Sequence, residues 1–306
     1  MKKYFYLLTI IFIFSLAVGC GRNKEDEAKT VKIAYLPITH SLAVLEEAKE
    51  LEKNHDIKVE LVKYGSWPEL LDALNSGQVD GASVLIELAM KSKAEGVGLK
   101  AVALGHRDGN VIVVSKKIKN AKGLKGKTIA IPHRQSSHYL LVNELLKQNN
   151  LSLDDITLTE LAPTEMPSAL AAGTIDGYCV AEPFGAVGVS IGAGKVLCES
   201  KDLWKDSICC GLVLTDSFID KNEELSKKFV EGYKKAGASL DKKEAKKVAK
   251  KYLNQSDEVI DISLDWISFD NLEITEEMYK DLVEKVEESG LLEDAPSYQE
   301  FVKNKF

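Results

Sequence analysis

The sequence predicts an α/β protein of two similarly built lobes joined by a two-strand hinge. Strand-like and helix-like segments alternate from Val31 onward, the pattern of a parallel-rich sheet covered by helices. The stretch ALNSGQVDG at 73–81 returns as ALAAGTIDG at 169–177, 96 residues later. Two apolar runs, Val111–Ser115 and Gly211–Thr215, bracket the region of the second copy.

The elements follow in order. Val31–Leu36 reads as a strand, and Ser41–Lys53 as an amphipathic helix. Ile57–Tyr64 is a second strand. Ser66-Trp67-Pro68-Glu69 then opens a helix, with capping-box spacing and proline in the first turn. That helix stops at Gly77. Each copy of the repeat is therefore a helix end, a glycine stop and the start of a short strand, Val84-Leu85 after one and Cys179-Val180 after the other. Ile129-Ala130-Ile131 is a strand and Tyr139–Gln148 a helix. Beyond Thr215 the chain turns helical and charged, and runs such as KKEAKKVAKKYLN read as solvated faces. Lobe one is expected over 31–110 and 212–306, lobe two over 111–211. A ligand is expected between them, outside the carboxyl ends of the strands.

The N-terminus carries an address. Two lysines precede an apolar run from Tyr4 to Val18, followed by Gly19 and Cys20, a secretory leader. A cysteine at the cut resembles a bacterial lipoprotein signal, although Leu16 stands one place further back than the commonest pattern has it. The expectation is a leader over 1–19, lipid on Cys20, a flexible tether over 20–30 and a chain held at the extracytoplasmic face of the cell membrane. Loss of Lys2 and Lys3 with the leader takes the net charge from −7 to −9 over 287 residues. That balance argues against nucleic acid, which needs a basic face.

Candidate ligand contacts are the residues at strand ends and helix starts. From the first half these are Thr39, His40, Trp67 and Arg107. The second half adds His133, Ser136, Ser137, Cys179, Glu182 and Cys210. Glu87, His106 and His138 occupy similar positions. Ser136 and Ser137 sit where a helix begins, so they either cap it or help its free N–H groups hold an anion. Four of the five histidines and three of the four cysteines beyond Cys20 fall on this crevice. Thiolates and imidazoles are the ligands of soft metals, which makes Cys209, Cys210 and His133 metal candidates. The other reading of Cys209 and Cys210 is that small apolar residues pack well in a crossover strand. Strand neighbours point to opposite faces. A regular strand would thus send one thiol to the core and one to the ligand. Both converge only at a bulge or at the hinge, which Gly211 permits.

Three stretches, VKIAYLPITHSLAVLEEAKEL, IPHRQSSHYLLVNELL and APTEMPSALAAGTIDGYCVAEPF, resemble the extracytoplasmic binding proteins of ABC importers. The branch is the nitrate/sulfonate/bicarbonate group, in the superfamily of thiamine-precursor binders. The resemblance implies a type II periplasmic-binding-protein fold, with closure on a small anion or organic solute. It also implies a permease with a separate ATPase as partners, a monomer, no cofactor and no enzyme activity. No G-x-x-x-x-G-K-[ST] is present; GLKGKT at 123–128 has the wrong spacing. Glu182 lies in E-P-F, which resembles the family's Glu-Pro-aromatic, so its role is architectural or it opposes an anion. The Cys209-Cys210 pair also resembles one in members of this broad group associated with soft-metal or organometal ligands. That gives an alternative cargo, bound through the pair and the crevice histidines. A remoter alternative is a pyrimidine-precursor enzyme on the same fold, against which the leader argues.

Overall fold

The structure, a computed structural model, describes residues 30–54 and 57–306. The expected leader, the expected lipidation residue Cys20 and residues 20–29 of the expected tether lie outside the described residues, while Thr30, the last residue of that tether, instead opens the first strand by pairing with Lys58.

The first half of the chain runs β1 (Thr30–Tyr35), α1 (Leu42–Asn54), β2 (Lys58–Lys63), α2 (Trp67–Asn75), β3 (Gly81–Leu85), α3 (Ile86–Ala94), β4 (Leu99–Leu104), β5 (Arg107–Asp108), β6 (Asn110–Val114), β7 (Thr128–Ile131) and α4 (Ser137–Gln148). The second half runs β8 (Thr157–Glu160), α5 (Met166–Ala172), β9 (Gly177–Ala181), α6 (Phe184–Ser190), β10 (Lys195–Glu199), α7 (Ser200–Leu203) and β11 (Cys210–Thr215). Seven further elements close it: α8 (Asp216–Lys221), α9 (Glu223–Ser239), α10 (Lys242–Tyr252), α11 (Asp257–Asp265), β12 (Ile267–Ser268), then α12 (Glu276–Glu288) and α13 (Tyr298–Phe301).

Two five-stranded sheets organise these elements. One has the order β2-β1-β3-β11-β4, the other β10-β6-β9-β7-β8. In the first, β11 runs antiparallel between β3 and β4. In the second, β6 runs antiparallel between β9 and β10. The chain passes between the sheets twice, through residues 105–109 and through 200–209.

The sequence repeat is a repeat of structure. Gly77 and Gly173 both end their helices with positive φ, +71° and +74°, the left-handed stop that glycine adopts without a Cβ clash. The aspartate three residues on does the same work twice. Asp80 accepts from the Lys32 N–H at 2.8 Å, and Asp176 from the Thr128 N–H at 3.0 Å. The closing glycines then open the central strands β3 and β9. Ile33 pairs with Gly81 and Ile129 with Gly177. No side chain fits at either glycine. A Cβ on Gly81 would stand 2.6 Å from the Val213 carbonyl oxygen, and one on Gly177 would stand 2.9 Å from that of Val113.

The helical end of the chain packs on the first sheet. Phe229 and Tyr233 of α9 are fully buried, and the Tyr233 hydroxyl donates to the Leu104 carbonyl at 3.0 Å. The Lys303 N–H reaches the Ala101 carbonyl at 2.9 Å. Charged runs such as that of α10 do present solvated faces, with a buried stripe of Ala245, Val248 and Ala249 beneath.

Candidate functional site

Both connections between the sheets pass one cluster of buried polar side chains. Thr39 and His40 come from the short turn after β1, Glu87 from the first turn of α3, and His106 from the first connection. Ser136, Ser137 and His138 come from the start of α4, Glu182 from the end of β9, and Cys209 and Cys210 from the second connection and the strand it enters. All of these residues are buried. Folding normally pairs such groups, yet several atoms here have no partner: both oxygens of Glu87, both ring nitrogens of His138, His106 Nδ1, Ser137 Oγ, Trp67 Nε1, Asn110 Nδ2 and Glu182 Oε1.

The tightest part of the cluster holds four soft ligands. One ligand atom from each of His40, His106, Cys209 and Cys210 lies within 4.8 Å of the other three. The two sulfurs are 3.9 Å apart, and Cys209 Sγ lies 3.7 Å from His40 Nδ1. The imidazoles of His40 and His106 stack with centroids 3.4 Å apart. His40 Nε2 lies 3.0 Å from the Gly109 carbonyl. A carbonyl only accepts, so Nε2 carries a proton and Nδ1 is the nitrogen that faces Cys209. The Cys210 N–H approaches His106 Nε2 at 3.4 Å.

Strand alternation does not separate the thiols, because β11 begins at Cys210. Cys209 belongs to the connection, where its backbone turns to give its carbonyl to the Ile86 N–H at 2.8 Å. The convergence sits at the hinge, one of the two breaks that would allow it.

Burial sets the protonation of these groups. It pushes His106 down to about 4, with His40 adding to the effect, and it pushes His138 down to about 4. Both rings are neutral near pH 7. Burial opposes a Cys209 thiolate, yet hydrogen bonds with Cys210 and His106 and the adjacent His40 ring hold its thiol well below the usual range. Burial and the neighbouring Cys209 push Cys210 the other way. Glu87 is raised well above an ordinary carboxyl by burial, and Glu182 rises to about 8 for the same first reason.

The remaining expected residues are placed as follows. Thr39 donates both its N–H and its hydroxyl to the Glu182 carbonyl, at 2.9 and 3.0 Å. Ser136 caps α4, accepting from the Tyr139 N–H. Cys179 is buried in β9, close enough to Cys209 to feel its charge. Trp67 and His133 line a cavity of 330 Å³ with Glu160 and Glu165. His133 is not one of the four converging ligands. Arg107 points elsewhere: its guanidinium donates to the Asp270 and Asn271 carbonyls and pairs with Asp206. The Glu182 carboxyl accepts from the Ala186 N–H at 3.0 Å and from the Ser263 hydroxyl at 2.8 Å, an architectural set of bonds.

Two participants are absent from the sequence-based set. Asn110 brings Oδ1 to 3.7 Å from the Cys209 sulfur. Ser263 interrupts the apolar stripe Val259, Ile260, Leu264 of α11, and a polar residue at a stripe position is the signal that could have found it.

Known proteins resemble the chain across most of its length. A ligand-binding component of an ABC-type import system from Staphylococcus aureus, solved with zinc bound, shares 42% identity at a TM-score of 0.86, over 90% of this chain and 96% of its own. The nitrate/nitrite binding protein NrtA of Nostoc sp. is 24% identical over 75% of this chain and 58% of its own length. The nitrate import ATP-binding protein NrtC of Synechocystis sp. is 29% identical over 63% of this chain, which spans about a third (32%) of that relative. The architecture is the periplasmic-binding-protein fold. The matching family model covers residues 24–254, and the chain belongs to the NMT1-like family.

Proposed function

We infer that this protein captures a small solute between its lobes and delivers it to an ABC importer, without itself catalysing a reaction. The observation that carries this reading is the buried polar cluster at both inter-sheet connections, where side-chain atoms of Glu87, His106, Asn110, Ser137 and His138 stay unpartnered. Unpaired buried polar groups cost about 1–3 kcal/mol each, and a polar solute that pairs them recovers that cost. The names of the relatives support a solute of the nitrate/sulfonate/bicarbonate class, for which the start of α4 offers N–H groups. A second reading, a soft-metal cargo, is favoured by the four converging ligands and by the zinc in the Staphylococcus aureus relative. Thermal unfolding with nitrate, bicarbonate, alkanesulfonates and zinc tests the capture reading. A solute at a hundred times its Kd is expected to stabilise by about 2.7 kcal/mol; no shift with any of them would sink it.

The partners follow from the same reading: a permease with a separate ATPase, and a monomer as the delivering species. Lipid on Cys20 would hold that monomer at the extracytoplasmic membrane face. Among the described residues no helix is long and apolar enough to cross a membrane. Cys20→Ser is expected to move the protein from the membrane fraction to the soluble fraction. A variant that stays with the membrane would refute the lipid anchor.

A further inference from the structure

We propose that His40, His106, Cys209 and Cys210 close around a divalent, thiophilic d10 cation as a tetrahedral site, and that this cation is the cargo. The proposal rests on the solute-capture reading and names the solute class.

The distances carry it. Zinc bonds thiolate at about 2.3 Å and imidazole at about 2.0–2.1 Å, so the edges of a tetrahedral S2N2 site measure about 3.3–3.8 Å. The sulfurs here are 3.9 Å apart, and the Cys209 sulfur stands 3.7 Å from His40 Nδ1. These two edges come within about 0.1 Å of an S2N2 site, and with all four ligand atoms inside 4.8 Å of one another the remaining edges need only a small contraction around the ion. An unbonded sulfur pair at this distance is also far beyond a disulfide, whose sulfurs stand about 2.05 Å apart, and all four cysteines after Cys20 are free.

An outer partner aims one ligand. The Gly109 carbonyl holds the His40 proton on Nε2 and leaves Nδ1 for the ion. Carbonyl partners of this kind fix metal-binding histidines generally. Charge is balanced as well. A divalent ion meets two thiolates and two neutral imidazoles, and whatever protons those four side chains still carry go to solvent. The filled site carries no net charge, as a fully buried site requires. A hard anion would leave the sulfurs without a role.

Position gives the site its link to the lobes. His106 lies on the first connection between the sheets, Cys209 on the second, and His40 on the turn after β1. One ion would tie all three. From the second lobe His138, buried and with both ring nitrogens unpartnered, is near enough for the charges of Cys209, His40 and His106 to act on it. It is a second, independent sign that this cluster expects an occupant.

Cobalt(II) is the probe, added anaerobically to the full chain with its thiols reduced. The expected result is the intense visible bands of tetrahedral cobalt together with a thiolate-to-cobalt charge-transfer band, both bleached by zinc. C209S/C210S is expected to abolish the charge-transfer band and raise the zinc Kd by at least about 100-fold, beyond what loss of an outer partner causes. Cys198→Ser leaves both unchanged. If the double variant does not fold, the charge-transfer band of the unsubstituted protein decides alone. A weak octahedral spectrum without that band, or zinc affinity unchanged in the folded double variant, overturns the proposal. Failure with cobalt and zinc alongside stabilisation by nitrate or a sulfonate removes the metal and leaves capture standing. Failure with all of them removes both.

Discussion

Glu182→Gln is expected to stabilise the protein by an amount that grows with pH. The folded carboxyl titrates at about 8, against an ordinary value of 4.5. Burial is the first cause, and the bonds from Ala186 and Ser263 only partly offset it. Between those two values the folded chain keeps the proton and the unfolded chain gives it up. The native state then binds more protons than the unfolded state, so stability falls as pH rises through this window. Each pH unit is worth about 1.4 kcal/mol, which sums to roughly 4 kcal/mol by pH 8. Glutamine copies the protonated acid: its carbonyl oxygen accepts from Ala186 and Ser263, and it cannot ionise. Glu47 and Glu87 are raised in the same direction, so the comparison must be a difference between variant and parent. Urea midpoints measured from pH 5 to 8.5 should diverge steadily. Parallel profiles would show that Glu182 is already ionised at neutral pH.

Gly81→Val and Gly177→Val should each cost about 3 kcal/mol, the upper end of overpacking penalties. The obstruction is backbone rather than a movable side chain. A Cβ at either position meets the carbonyl oxygen of the antiparallel neighbour, Val213 or Val113, inside normal contact. Relief requires spreading the central strands of a sheet, and with them the ladder bonds on both sides. Gly65 provides the contrast, since a Cβ there meets nothing within 4 Å. Gly65→Ala should be neutral or stabilising by a few tenths of a kcal/mol. The check is the urea midpoint of each variant. Equal midpoints for Gly65→Ala and Gly81→Val would mean that the strands separate freely.

These glycines also show why the framework was legible in the sequence. A helix end, a left-handed glycine, an aspartate and a glycine too crowded for a side chain are all local demands, so they stay in the same nine letters wherever the lobe is built. The cluster obeys no such local code. The stacking of His40 on His106 depends on how the turn after β1 meets a connection 66 residues later. Cys209 and Cys210 read as strand neighbours on opposite faces, and only the true start of β11 brings them together. Arg107 stood at a strand end in the sequence, but the carbonyls that turn it away belong to Asp270 and Asn271. Ser263 lay in a segment whose charge pattern describes only its solvent side.

The place of β11 between β3 and β4 fixes the order in which a growing chain can be completed. All strands of the second sheet end by Glu199 in the chain, ahead of β11. The first sheet begins at Thr30 but waits for Cys210–Thr215 to fill the gap between its third and fourth strands in chain order. Until then β3 and β4 present bare edges, the form in which strands recruit foreign chains. The later-made sheet is thus finished first, and its arrival delivers the strand that completes the earlier one, with both cysteines at the leading end.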